Sequence, residues 1–205
     1  MPDLERALTD IDLIRGQLAR VSEFRGFGPG SLALTGALAF VTAAGQSLCL
    51  QEPALHVSAY VGLWVAVAAC AVLVIGIEAV ARARRAHGGL AIPMLRTVAE
   101  QLLPSLVAGA LVTAVCLQGG PRSLWMLPGL WQIIFGLGAF ATSRVLPRPM
   151  SVVGGWYLAC GLVCLELGRG GHAFSPWVMA VPFGVGQWLA AAILLRERGC
   201  EGRDG

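Results

Sequence analysis

Residues 57–85 read VSAYVGLWVAVAACAVLVIGIEAVARARR, and the first charged side chain in the run is Glu78. A helix crossing a hydrocarbon core of about 30 Å needs roughly 20 mostly apolar residues. Val57 to Val80 supplies them, and the run then leaves through Arg82, Arg84 and Arg85. An apolar helix that exits on clustered cations reads as a transmembrane span with that end in the cytoplasm.

Five further stretches repeat the pattern. They run from Ser31 to Leu50, Leu102 to Leu117, Leu124 to Thr142, Met150 to Leu167 and Pro176 to Leu195. The third is short and carries Pro104, so its helix is expected to begin earlier, in the amphipathic lead-in Met94 to Gln101. Only helices suit these segments, because backbone groups in lipid must be satisfied within the segment itself.

The chain has fifteen arginines and no lysine, and they fall between these spans unevenly. Arg15, Arg20 and Arg25 precede the first span, Arg82, Arg84, Arg85 and Arg96 fill the second connection, and Arg144 and Arg148 the fourth. Arg196, Arg198 and Arg203 follow the sixth, whereas the opposite connections hold only Arg122 and Arg169. The positive-inside rule then puts both termini in the cytoplasm. The exclusive use of arginine suggests a GC-rich bacterial genome, so the expected location is a bacterial inner membrane. A polar stretch precedes the first span, and a cleaved signal peptide is not expected.

Composition agrees. Hydrophobic residues make up 56% of the 205, charged residues 13%, and mean hydropathy is +0.70. Soluble domains carry about 25% charged residues, so a water-facing surface cannot be built from this chain. The pI near 8.7 reflects the arginine asymmetry and attraction to anionic lipid rather than nucleic-acid binding. The expected fold is therefore all-α: a polytopic bundle of six transmembrane helices over 28–198. A cytoplasmic amphipathic helix and hinge (1–27) precedes it, and a short tail (199–205) follows.

The amino-terminal segment differs from the rest. Leu4, Ala7, Ile11, Ile14, Leu18 and Val21 alternate spacings of three and four, an a/d seam. Asp3, Glu5, Asp10 and Asp12 load its first half, and Arg15, Arg20 and Arg25 its second, as the helix macrodipole favours. Three heptads are marginal alone in water, so the seam is expected to lean on the bilayer, the bundle or a partner helix. Leu4, Ile11, Ile14, Leu18 and Val21 are the candidate partner-binding face.

Polar residues within the spans are functional candidates by default. Glu78 with Arg82, and Glu166 with Arg169, read as interfacial ion pairs in helical register. Gln46, Gln132 and Gln187 lie further from the span ends. Gln187 follows Pro182-Phe183-Gly184-Val185-Gly186, and Gln132 follows Pro128-Gly129-Leu130-Trp131. Each proline frees a backbone carbonyl and each glycine admits a neighbour, so spans four and six are expected to face one another with the two amides close. Interhelical hydrogen bonding explains the same residues without a ligand. Tyr60, Trp64, Trp125, Trp131 and Trp177 fall near external span ends, where interfacial rings anchor.

Thr35-Ala39-Ala43, Gly62-Ala66-Cys70 and Ser105-Gly109-Thr113 recur every four residues as packing seams. Shifting spans three and four by 52 positions aligns Arg96 with Arg148, Gly109 with Gly161 and Trp125 with Trp177. This marks either a parallel duplication or the common furniture of membrane hairpins. Cys160 and Cys164 share a helix face as small packing residues rather than metal ligands.

No Gly-x-Ser-x-Gly, His-Glu-x-x-His or phosphate-binding loop occurs, which makes an enzyme the least supported class. No catalytic, cofactor or metal site is assigned. The expected role is a non-enzymatic interaction or sensory and regulatory subunit, working through the amino-terminal helix and the arginine-rich loops. The alternative is a small transporter, channel or lipid-binding protein with a polar site between spans four and six. Expected partners are membrane lipids, a cytoplasmic protein, and sister subunits in a homo-oligomer or larger membrane complex.

Overall fold

The computed structural model describes residues 28–49, 56–85, 91–143, 146–147 and 149–201, and these are all-helical. The helices are α1 (Pro29–Cys49), α2 (Val57–Arg85), α3 (Ala91–Gln118), the single turn α4 (Pro121–Leu124), α5 (Leu127–Thr142), α6 (Met150–Leu167) and α7 (Pro176–Glu201). A π-type turn, Gly168–His172, prolongs α6. Five helices are long and apolar enough to cross a membrane by length and composition: α1, α2, α3, α6 and α7. The sequence-expected amino-terminal helix lies outside the described residues.

The fourth expected span differs. It begins at Leu127 rather than Leu124, because the chain turns at Trp125 and Met126 and Pro128 occupies the first turn of the new helix. Sixteen residues remain, about 24 Å at 1.5 Å per residue. The third expected span starts early, at Ala91, and runs through Pro104 unbroken.

Each long helix packs on its sequence neighbour, and the first closes on the last, giving the ring order α1–α2–α3–α5–α6–α7. The contacts show that neighbours run antiparallel. On α1 and α2, Gln46 meets Trp64 while Gly28 meets Glu78. On α5 and α6, Gly129 meets Gly161 while Gly136 meets Gly154. Alternation over six helices brings Pro29 and Glu201 to the same end. Arg82, Arg84, Arg85, Arg96 and Arg196 gather at that end, and Arg169 lies at the other.

Glycine decides where the ring is tightest. A Cβ on Gly129 would stand 2.8 Å from the Gly161 carbonyl oxygen, and one on Gly161 2.9 Å from that of Gly129. Helices can approach this closely only where side chains are absent, which is how apolar helices gain dispersion contact in lipid. A Cβ on Gly36 of α1 would stand 3.0 Å from the Gly184 carbonyl oxygen of α7 and slightly closer to the Trp188 ring. Of the three small-residue seams, Thr35, Ala39 and Ala43 are buried against this α1–α7 contact. Gly62, Ala66 and Cys70 face outward instead. Gly109 looks into open space whereas its 52-residue counterpart Gly161 is packed, so the matched glycines do different work.

The interior has two layers. Leu32, Val98, Val153, Tyr157 and Leu194 fill the arginine-bearing end, and Ala43, Tyr60, Trp64, Leu127 and Met179 fill the other. α2 and α3 contribute least: half of the apolar stretch of α7 is buried, but only 6% of that of α3.

Gly129→Ala should lower stability by about 1–3 kcal/mol, because the Gly161 backbone must move aside. Gly62→Ala, with open space around its Cβ, should be neutral or slightly stabilising. Unfolding in detergent micelles measures both, and equal losses would show that the glycine contact does not set the α5–α6 distance.

Candidate functional site

Pro182 interrupts α7, a 26-residue helix. Proline has no N–H, so the carbonyl four residues before it loses its helical donor. That carbonyl belongs to Val178. Gln132 of α5 fills the gap: its Nε2 donates to the Val178 oxygen at 3.0 Å, and to the Cys164 sulfur of α6 at 3.3 Å. The Cys164 thiol stands 3.6 Å from the same oxygen and 3.5 Å from the Gln132 carbonyl oxygen. Gln132 is fully buried, and three helices meet on its amide.

The stitching continues along the break. Trp156 Nε1 donates to the Pro182 carbonyl at 3.0 Å, and the Tyr157 hydroxyl lies 3.5 Å from that of Phe183. Phe135, Tyr157 and Phe183 stack edge-on or tilted, with centroids 4.7 to 5.5 Å apart. Gly184 and Gly186 leave room for this: the Phe40 ring of α1 sits on the first and the Tyr157 ring of α6 on the second. On the far side Trp188 Nε1 donates to the Ala33 carbonyl of α1 at 3.1 Å.

A second polar cluster adjoins the first from the side of α1 and α2. Trp64 Nε1 donates to Gln46 Oε1 at 3.1 Å. Tyr60, fully buried, packs edge-on against Phe174. Its hydroxyl and the Gln46 Nε2 have no hydrogen-bond partner among the described residues. A buried polar group left unpaired costs about 1–3 kcal/mol. Tyr60 and Trp64 are near a helix end, but they are core residues and not rings exposed to an interface. Their helix face is turned inward by the Gln46 bond.

The expected meeting of Gln132 with Gln187 does not occur. Gln187 is buried in α7, but it lies nine residues beyond Val178, about 13 Å along the axis. Gln132 is held by the carbonyl that Pro182 released, at a different level of the bundle. Pro128 plays no matching part, since it sits in the first turn of α5, where helix N–H groups lack partners anyway.

At the arginine-bearing end, Arg82 binds Glu78 Oε1 through Nε at 2.7 Å and Nη2 at 2.5 Å. The carboxylate leans on Gly28, where a Cβ would overlap it, beside Ser31 at the start of α1. A negative charge suits that helix amino terminus, so the pair ties α2 to α1. Glu166 and Arg169 pair at 3.4 Å, both largely exposed, as do Glu100 and Arg96 at 2.7 Å. Leu4, Ile11, Ile14, Leu18 and Val21 lie outside the described residues. Among the described residues no three His, Cys, Asp or Glu side chains converge. The chain matches no family model, no curated protein and no solved structure.

The Val178 carbonyl makes a double-mutant test available. Gln132→Leu should cost about 1–2 kcal/mol by leaving that oxygen unpaired. In a Pro182→Ala background the new backbone N–H would supply the missing donor, and the same change should cost less than half as much. Unfolding of the four proteins in micelles gives the coupling, and additive losses would mean that Gln132 acts elsewhere.

Proposed function

We propose that this chain is a non-enzymatic interaction or sensory and regulatory subunit of a bacterial inner membrane. In this reading it has six spans, the short α5 included, and both termini in the cytoplasm. The observation that carries the proposal is the build of α2. Its 29 residues extend about 43 Å, well beyond an apolar core of about 30 Å. It is attached by polar contacts at its two ends, Trp64 to Gln46 and Glu78 beside the start of α1, while most of the face between them is unburied. Such a helix links the buried cluster at one end of the bundle to Arg82, Arg84 and Arg85 at the other. The arginine end and the amino-terminal helix together offer a cytoplasmic surface for a protein partner or a sister subunit.

The transporter, channel or lipid-binding reading has support of its own. Gln132 and Val178 join spans four and six, and the unpaired Tyr60 hydroxyl and Gln46 amide adjoin them. Against coupled transport, the Gln132 amide and the Gln46 carbonyl oxygen serve as helix cross-links.

Reporter fusions in the 82–96 connection and after Asp204 should read cytoplasmic, and fusions within 168–175 external. A periplasmic carboxyl terminus would overturn the six-span topology. Replacing Ile11, Ile14 and Leu18 with serine should leave membrane insertion intact and release the protein that co-purifies with the wild type. Retention of every associated protein and of the full cellular phenotype would remove the interaction reading. Altered solute flux in Gln132→Leu membranes at normal protein levels would favour transport.

A further inference from the structure

We infer that the arginine-bearing half of α2 holds an anionic phospholipid, with its acyl chain along the helix and its phosphate on Arg84 and Arg85. Leu73, Gly76, Ile77 and Val80 form an open apolar face along this one helix, and the face ends at the two arginines. Gly76 leaves a gap between these side chains, since open space surrounds the place where its Cβ would be. The apolar side chains recur at helical spacing and are substantially unburied by protein.

The three cations of this helix end are not equivalent. Arg82 is committed to Glu78. Arg84 and Arg85 are exposed and face no carboxylate among the described residues. They lie two turns beyond Ile77, which places them at headgroup depth when the apolar stretch is in the acyl region. Apolar contact along the face and two uncommitted guanidinium groups at its end match a lipid with a phosphate and a net negative charge. Arginine binds phosphate bidentately, and basic pockets on the cytoplasmic side of membrane helices take such headgroups. A zwitterionic phospholipid would offer the same phosphate, but its headgroup cation offsets the attraction of the two guanidinium groups, so a net negative headgroup is preferred. An acidic peptide would answer the charges and could not enter the apolar part. The inference rests on the membrane-spanning reading of α2 and is independent of any protein partner.

The full-length chain in nanodiscs of equal phosphatidylglycerol and phosphatidylcholine provides the test, with retained lipid counted by native mass spectrometry on release. The wild type should keep phosphatidylglycerol in preference. Arg84→Gln and Arg85→Gln should each lower that retention about fivefold, the equivalent of about 1 kcal/mol per arginine near the surface. Gly76→Leu, which fills the gap on this face without touching charge, should lower retention of both lipids. Arg196→Gln, a cation at the same end on α7, should change nothing. Retention without headgroup preference, or an equal loss in Arg196→Gln, overturns the site in favour of general surface attraction. A photo-reactive benzophenone side chain in place of Ile77 reports on the occupant directly. Capture of lipid supports the inference, while capture of residues 1–25 of this chain or of a second copy overturns it. Failure of the topology fusions would sink the membrane reading itself and is read separately.

Discussion

One missing backbone hydrogen bond organises this molecule. Pro182 leaves the Val178 carbonyl without a helical donor, and in an apolar bundle such an oxygen must be answered by protein. The answer comes from Gln132 of α5 together with the Cys164 thiol of α6. The carbonyls of Pro182 and Phe183 are met from α6 by Trp156 and Tyr157. The weakest point of α7 is thereby its most heavily cross-linked point, and the register of α5 and α6 against α7 follows from it.

Around that centre the bundle divides by stiffness. Hydrophobic burial gives little net drive to associate helices in lipid, so close contact and hydrogen bonds must serve. The α5–α6 and α1–α7 pairs have both, through Gly129 with Gly161 and Gly36 with Gly184, with Trp188 donating to Ala33 across the second. The α2 helix has polar attachments at its ends and little between, and α3 shows most of its surface. A close-packed part of α1, α5, α6 and α7, to which α3 is tied by Trp131 donating to Thr113 at 2.8 Å and by Ser105 against Gly138, thus carries the more open α2. Local opening costs least at that helix, because the fewest buried contacts are lost there.

Polar groups in the bundle follow the same division. Glutamine, tryptophan and tyrosine side chains near the break act as interhelical connectors. The ion pairs sit toward helix ends, where Glu78 with Arg82 is partly covered and Glu166 with Arg169 is open. Open pairs contribute little to stability. The covered one matters more because its carboxylate also meets the first turn of α1, adding the favourable charge–dipole contact.

The all-helical class, the apolar helices and the arginine-rich end were legible in the chain because each depends on local quantities. Span length, hydropathy and charge near a span end do not require knowledge of neighbours. The Glu78–Arg82 and Glu166–Arg169 pairs were legible for the same reason, since a four- or three-residue step on one helix brings side chains together. That Pro182 frees a carbonyl is also a local fact. Which side chain answers it is not: Gln132 is 46 residues from Val178, and only the antiparallel register of α5 against α7 brings them together. The same register separates Gln132 from Gln187, although both follow a proline and glycine. The inward turn of Tyr60 and Trp64 was decided by the ring as well, because hydropathy counts residues along a helix and not the face they occupy. What tertiary structure alone supplied was rotation and register, two quantities that a uniformly apolar helix leaves open until polar groups and glycines choose among them.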